Sequence, residues 1–265
     1  MDSFFFAFPA WVMAIIVFVL ILSANALGFN YRRRLLEKHP DDVPESLGTL
    51  EGSLLGLMAL MLAFSFGMGA TKFESRRTLA VKEANAIGAA ILRTNMYPDS
   101  IRHLFLADFD IYIDKRMDYY QANYHTEDRD AAIRAADEIS LRMFKRATAL
   151  SHDPANLVSS QQMVPILNEM IDLVVERDAM RAARIPTLIL VMLLLLTMVS
   201  AFMSGYSHKA KKRNLVMILA FTLMTTFTLY IVMELDRPQR GLITIDYAQQ
   251  KIIDLKKLVA EEKAH

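Results

Sequence analysis

Residues 8–29, 47–70, 186–205 and 214–233 are four apolar runs, each near the ~20 residues a helix needs to cross ~30 Å of hydrocarbon. They stand in two pairs, and each pair is joined by a short loop crowded with Lys and Arg. A long charged stretch, residues 71–184, separates the pairs. This pattern predicts an all-α integral membrane protein with four transmembrane helices in two hairpins. A helical extramembrane domain lies between spans two and three. The expected segments are a first hairpin at 1–70, the helical domain at 71–184, a second hairpin at 185–235 and an interfacial segment at 236–265.

The first run is a membrane anchor and not a secretory leader. Ala24-Asn25-Ala26 resembles a small-residue cleavage site, but residues 1–9 carry no Lys or Arg and the run is longer than a leader's apolar core. Arg32, Arg33 and Arg34 follow at once.

Hydrophobic residues make up 54% of the chain, above the usual share of a soluble domain. The formal charge of +1 gives no bulk field to attract nucleic acid. There is no cysteine, which removes disulfides, thiolate metal sites and thiol nucleophiles together. The histidines are scattered without metal-ligand spacing, and no zincin, nucleophile-elbow, P-loop or dinucleotide motif occurs. The expectation is therefore no enzyme, no metal and no cofactor.

Charge fixes the expected orientation. Loop 30–45 holds Arg32, Arg33, Arg34 and Lys38, and loop 206–213 holds Lys209, Lys211, Lys212 and Arg213. Short loops this basic stay in the cytoplasm. The N-terminus, the helical domain and the C-terminus then lie outside an inner (plasma) membrane. Lys72, Arg76, Arg77, Lys82, Arg177, Arg181 and Arg184 argue the other way, but they are interleaved with acids.

Within 71–184 glycine is nearly absent and helical spacing dominates. Leu79, Glu83, Ala86, Ala90 and Arg93 extend span two outward as one helix to about residue 92. Tyr97-Pro98-Asp99-Ser100 marks a turn. Next comes a helix with Ile101, Leu104, Phe105, Phe109, Tyr112 and Ile113 on its apolar side. Thr126 caps a third helix carrying Ala131, Ile133, Ala136, Ile139, Met143 and Phe144. A last helix, from about Pro165, runs on into span three. The C-terminal tail, with Ile252, Ile253, Leu255, Leu258 and Val259, reads as an amphipathic helix on the body or the membrane.

Span two is the most patterned segment. Gly48, Gly52, Gly56, Ala59, Ala63, Gly67 and Ala70 fall within about 100° of one another on a helical wheel. Small residues let helix backbones approach closely, either inside the chain or at a subunit contact or pore wall. Phe64 and Phe66 stand in the same stretch. Glu51 lies in the first turn, where the helix dipole favours a carboxylate. An ionisable group in a span is also a functional candidate. Glu83, Asn85 and Arg93 could meet Asn168, Glu169, Asp172 and Arg177 in a polar seam between two stalk helices. After span four come Asp236, Arg237, Pro238, Arg240 and Gly241, charges and a stop that suit an interfacial anchor.

Several of these stretches resemble one family. Glu51-Gly52-Ser53-Leu54-Leu55-Gly56-Leu57 with Phe64-Ser65-Phe66 is similar to its second span. Glu83-Ala84-Asn85-Ala86-Ile87-Gly88 with Arg93 is similar to its stalk motif. Asp236-Arg237-Pro238 with Arg240-Gly241 is similar to its signature after span four. The family is the bestrophin-like domain of bacterial and plant membrane proteins. The resemblance implies kinship with bestrophins, which are pentameric anion channels with four spans and a cytosolic helical body. No stretch matches the bestrophin pore neck, and no acidic calcium clasp is present.

The expected function is an oligomeric channel for small inorganic ions, anions by the resemblance, with span two at the axis. The alternative is a non-conducting sensor or scaffold whose helical domain binds a partner. The expected partners are the lipid bilayer, further copies of the chain and the ions themselves, with no nucleic acid.

Overall fold

The computed structural model describes residues 8–38, 48–121, 126–207, 215–237 and 246–264, and among these every regular element is helical. In chain order the helices are α1 (Ala10–Lys38), α2 (Gly48–Arg93), a 3₁₀ turn (Thr94–Met96), α3 (Asp99–Gln121) and α4 (Thr126–Leu150). They continue with α5 (Leu157–Ala182), α6 (Thr187–Ser207), α7 (Leu215–Leu235) and α8 (Asp246–Ala264). The four apolar runs lie in α1, α2, α6 and α7, each long and apolar enough to cross a membrane. The chain is a multi-pass, all-α membrane protein.

It divides into two compact units, one of residues 1–73 with 184–244 and one of residues 74–183 with 245–265. In the first unit α1 is packed against both α6 and α7. Val17 and Ile21 of α1, Leu193 and Ala201 of α6 and Leu229 of α7 form its centre. The α1–α6 contact is unusually close. A Cβ on Gly28 would overlap the backbone carbonyl of Phe202, and one on Gly205 would overlap the backbone of Asn25. Asn25 Nδ2 donates to the Ala201 carbonyl at 3.3 Å, and Arg32 Nη1 donates to the Tyr206 carbonyl at 3.0 Å. That second bond satisfies a carbonyl at the end of α6 that has no partner within its own helix.

The second unit has an ordinary globular core. Ile87, Ala90 and Ile91 of α2 meet Phe105, Leu106, Phe109 and Ile113 of α3, Met143 of α4 and Met163, Leu167 and Met170 of α5. The tail helix α8 adds Ile252, Leu255 and Val259 to this core, so it lies on the body. Leu255 reaches Gly88, where a Cβ would sit 3.2 Å away. Polar pairs line the α8 contact: Arg102 with Glu262, Lys263 with Asp110 and Lys256 with Asp114.

Three expectations need adjusting. Leu104 and Ala131 are exposed, and Leu106 and Ala132 take the buried positions instead. α5 begins at Leu157, well before Pro165, which sits inside the helix. Buried Ser159, Ser160 and Met163 hold that first part against the body, outweighing the missing amide. Finally, α5 does not run unbroken into span three. It stops at Ala182, and residues 183–186 are not helical. Pro186 pushes Ile185 out of the helical region, and the freed backbone groups are taken up by side chains. Arg76 Nη2 donates to the Ala183 carbonyl at 2.8 Å and Arg76 Nε to the Met180 carbonyl at 3.3 Å. Asp236 Oδ1 accepts the Ile185 amide at 2.8 Å.

Candidate functional site

α2 starts as a span and ends as a core helix, with no Pro inside it. In its apolar half the residues turned inward form one narrow edge, Met58, Ser65 and Gly69. Gly69 packs on α7, where a Cβ would lie 3.3 Å from Leu235 Cβ. The small-residue face points the other way. Gly48, Gly52, Gly56, Ala59, Ala63 and Gly67 are exposed, as are Phe64 and Phe66, and Ala70 is half-buried. Nothing lies within 4 Å of a Cβ at Gly52, Gly56 or Gly67. Packing within the chain therefore does not explain these glycines. Only 17% of the most apolar stretch of this span is buried, against 28% for span one and 33% each for spans three and four. Glu51 is half-buried in the first turn of α2.

Beyond the span, the polar seam is narrower than the sequence suggests. Asn168 donates to Asp172 at 2.9 Å across one turn of α5, and both are exposed. Asn85 and Glu169 are exposed too, and Arg93 is half-buried. Only Glu83 and Arg177 come together, and a third residue completes their group. Arg116 of α3 forks onto Glu83, Nε to Oε1 at 2.6 Å and Nη2 to Oε2 at 3.2 Å. Arg177 Nη1 bonds the same Oε2 from the α5 side. The side chains of Glu83 and Arg116 are 0% and 1% exposed, and that of Arg177 12%.

Burial opposes a charge on Glu83, but the two guanidiniums outweigh it together and hold its carboxyl below the usual carboxylate range. Burial pushes the Tyr112 hydroxyl in the opposite direction, upward. The Arg116 guanidinium also lies 4.7 Å from the centre of the Tyr119 ring. This group joins α2, α3 and α5. Arg116 was legible only as one cation on a helix with a mixed apolar face.

The motif after span four works as a fastener inside the first unit. Asp236 holds the Ile185 amide, and Arg237 Nη1 donates to the Phe8 carbonyl at 2.6 Å. Both side chains, and Glu234 before them, are buried. The start of α1, the start of α6 and the end of α7 are thus tied at one end of the bundle. Pro238, Arg240 and Gly241 lie outside the described residues. Among the described residues no group of three or more His, Cys, Asp or Glu side chains is placed to hold a metal.

A family model described as the Bestrophin-like domain matches residues 17–249. No curated protein matches the sequence. Among solved structures, a point-substituted form of a bacterial bestrophin homologue from Klebsiella pneumoniae is similar, with a TM-score of 0.76 at 9% identity. The match covers 97% of this chain and 99% of that one. A crystal structure of the Klebsiella pneumoniae homologue phased by Zn-SAD gives a TM-score of 0.67 at 11% identity, covering 92% and 98% of the two chains. At such identities the likeness is one of fold.

Proposed function

This chain belongs to the Bestrophin-like domain family, and from that premise we propose that several copies assemble into a channel for small inorganic anions. The observation that carries this reading is the open face of span two. Among the described residues nothing faces Gly52, Gly56 or Gly67, and Ala59 and Ala63 beside them are exposed. Small residues facing hydrocarbon give up dispersion contacts that a close helix neighbour would supply. A ring of copies turns that face toward a shared axis or a neighbouring subunit. The helix then continues past Phe73 as the wall of a vestibule.

The short basic loops lie in the cytoplasm and the helical body on the other side of an inner membrane. Four of the seven opposing cations are occupied within the body, which supports this assignment. Arg76 bonds the end of α5, Arg77 pairs with Glu74, Arg177 with Glu83 and Arg181 with Asp178. Reporter fusions after His265 and inside loop 206–213 test it. A cytoplasmic reporter after His265 would place the body on the side used by bestrophins and overturn the assignment.

For conduction, purified protein is sized in detergent and reconstituted into vesicles loaded with a halide-sensitive dye. The expected result is a multi-subunit particle and halide flux that Gly56→Leu and Gly67→Leu abolish. A monomeric particle with no flux rejects the reading. An oligomer without flux points to the scaffold instead, with the small face serving as a dry seam.

A further inference from the structure

Several hydroxyls on the spans bond back to the preceding turn of their own helix. Ser65 donates to the Met61 carbonyl at 2.8 Å, Thr71 to Gly67 at 2.9 Å, Thr197 to Leu193 at 2.8 Å and Thr228 to Met224 at 2.9 Å. This is the low-cost solution in lipid, because the acceptor is always within reach. Among the described residues four buried hydroxyls depart from it, Ser207 at the very end of α6 and three deeper in the bundle. Ser200 of α6 and Thr222 and Thr226 of α7 have no hydrogen-bond partner, although all three side chains are buried inside the bundle. None of the three makes the bond to the carbonyl one turn back.

These three stand at neighbouring depths. The Asp236–Ile185 bond ties the end of α7 to the start of α6, so the two helices are counted from a common level. At 1.5 Å per residue, Ser200 and Thr222 each lie about 20 Å along their helices from that end, and Thr226 about 14 Å. Both depths fall well inside a ~30 Å hydrocarbon layer. Asn25 of α1, buried and bonded to the Ala201 carbonyl, borders the same level, and buried Thr225 lies between the two threonines in sequence.

Nearer the tied end, α1, α6 and α7 enclose an apolar gap. A cavity of roughly 20 Å³ among Val17, Leu190, Leu193, Leu194, Leu229, Val232 and Met233 has room for a water but no polar atom to hold one. An unsatisfied buried hydroxyl costs about 1–3 kcal/mol, so three within about one helical turn of depth in a hydrocarbon-embedded bundle call for a shared partner.

We infer that the first unit binds water at this level, in a small site made by the hydroxyls of Ser200, Thr222 and Thr226. Each hydroxyl gives or accepts one bond, and the water completes its set with the others. The site stands apart from the open face of span two, and its existence does not rest on conduction.

Two measurements on the full chain in lipid bilayers test it. In water-edited solid-state NMR, magnetisation from water reaches the Thr222 and Thr226 side chains and does not reach back-bonded Thr197. Equal or absent transfer at all three overturns the proposal. The second test is the sign of a thermal shift. Thr222→Val and Thr226→Val keep the shape and remove the hydroxyl. If water is held, each removes one of its partners and lowers the melting midpoint by about 2–4 °C. A raised midpoint means the hydroxyls were merely orphaned, since an apolar isostere then relieves the penalty. Where a variant fails to fold, the NMR result on the unaltered protein decides.

Discussion

Up to Phe73, α2 turns a row of small residues away from the other described residues; past Glu74 the same helix buries Leu79, Glu83, Ile87, Ala90 and Ile91. The first half has a spare face, and the second half has none of that kind. Its core side is filled by α3, α4, α5 and the tail helix, and its one buried carboxylate meets two arginines. The difference teaches what each half is free to do. The second half is locked within its own unit by a buried ion group and an aliphatic core, whereas the first half leaves its small face open to a neighbour.

Breaking the lock has the largest expected effect. Removing one partner of a fully buried ion pair strands the other charge, so Arg116→Ala or Glu83→Ala costs about 3–5 kcal/mol in a thermal or denaturant melt. A loss under 1 kcal/mol would show that the group is solvated and not a lock. The pH dependence of the same group has a definite sign. The Glu83 carboxyl sits below its unfolded value of 4.5, so its contribution is present above that value. It fades as pH falls through the still lower folded value. Melts recorded from pH 7 downward therefore hold until the acid side of 4.5 and then drop, and Glu83→Gln flattens that part of the drop.

The next effect contrasts glycines of opposite environment. Gly28→Ala and Gly205→Ala each push a methyl into a facing backbone and cost about 1–3 kcal/mol or more. Gly52→Ala and Gly56→Ala meet nothing among the described residues and do not lower the melting of a dissociated subunit, since Ala favours the helix, while altering particle size or flux. If Gly56→Ala unfolds the isolated chain as Gly28→Ala does, the two classes of glycine are not distinct. Asp236→Ala follows, at about 1–3 kcal/mol, because it strands the Ile185 amide. Lys263→Gln, which removes a half-exposed pair with Asp110, should cost under about 1 kcal/mol.

Much of this molecule can be read from the chain, and the reason is local. Runs of apolar residues near membrane length have one economical fold, so the four spans appear close to where they were expected. The unbroken α2 follows from a stretch without Pro. Even the Glu83–Arg177 contact is anticipated, because both residues lie on stalk helices. What escapes is whatever depends on a third element. Arg116 joins the group from α3, at a distance in sequence that no helical period encodes.

The glycines show the limit most clearly. Gly28 follows Ala24 and Gly205 follows Ala201 by one turn, so each belongs to a single small pair, far less conspicuous than the run in span two. They make the closest contact of the bundle because two backbones happen to cross there. Span two has the conspicuous small-residue pattern and makes no such contact.

The sequence by itself determined that the chain is helical, that four segments suit a membrane and that span two carries a one-sided pattern. It did so through period, length and hydrophobicity, which each segment carries alone. The tertiary structure decided which glycines are buried and which face outward, where span three parts from its stalk, and which cations are held by acids or carbonyls. Those outcomes depend on what lies opposite a residue, and a single helix holds no record of its neighbour.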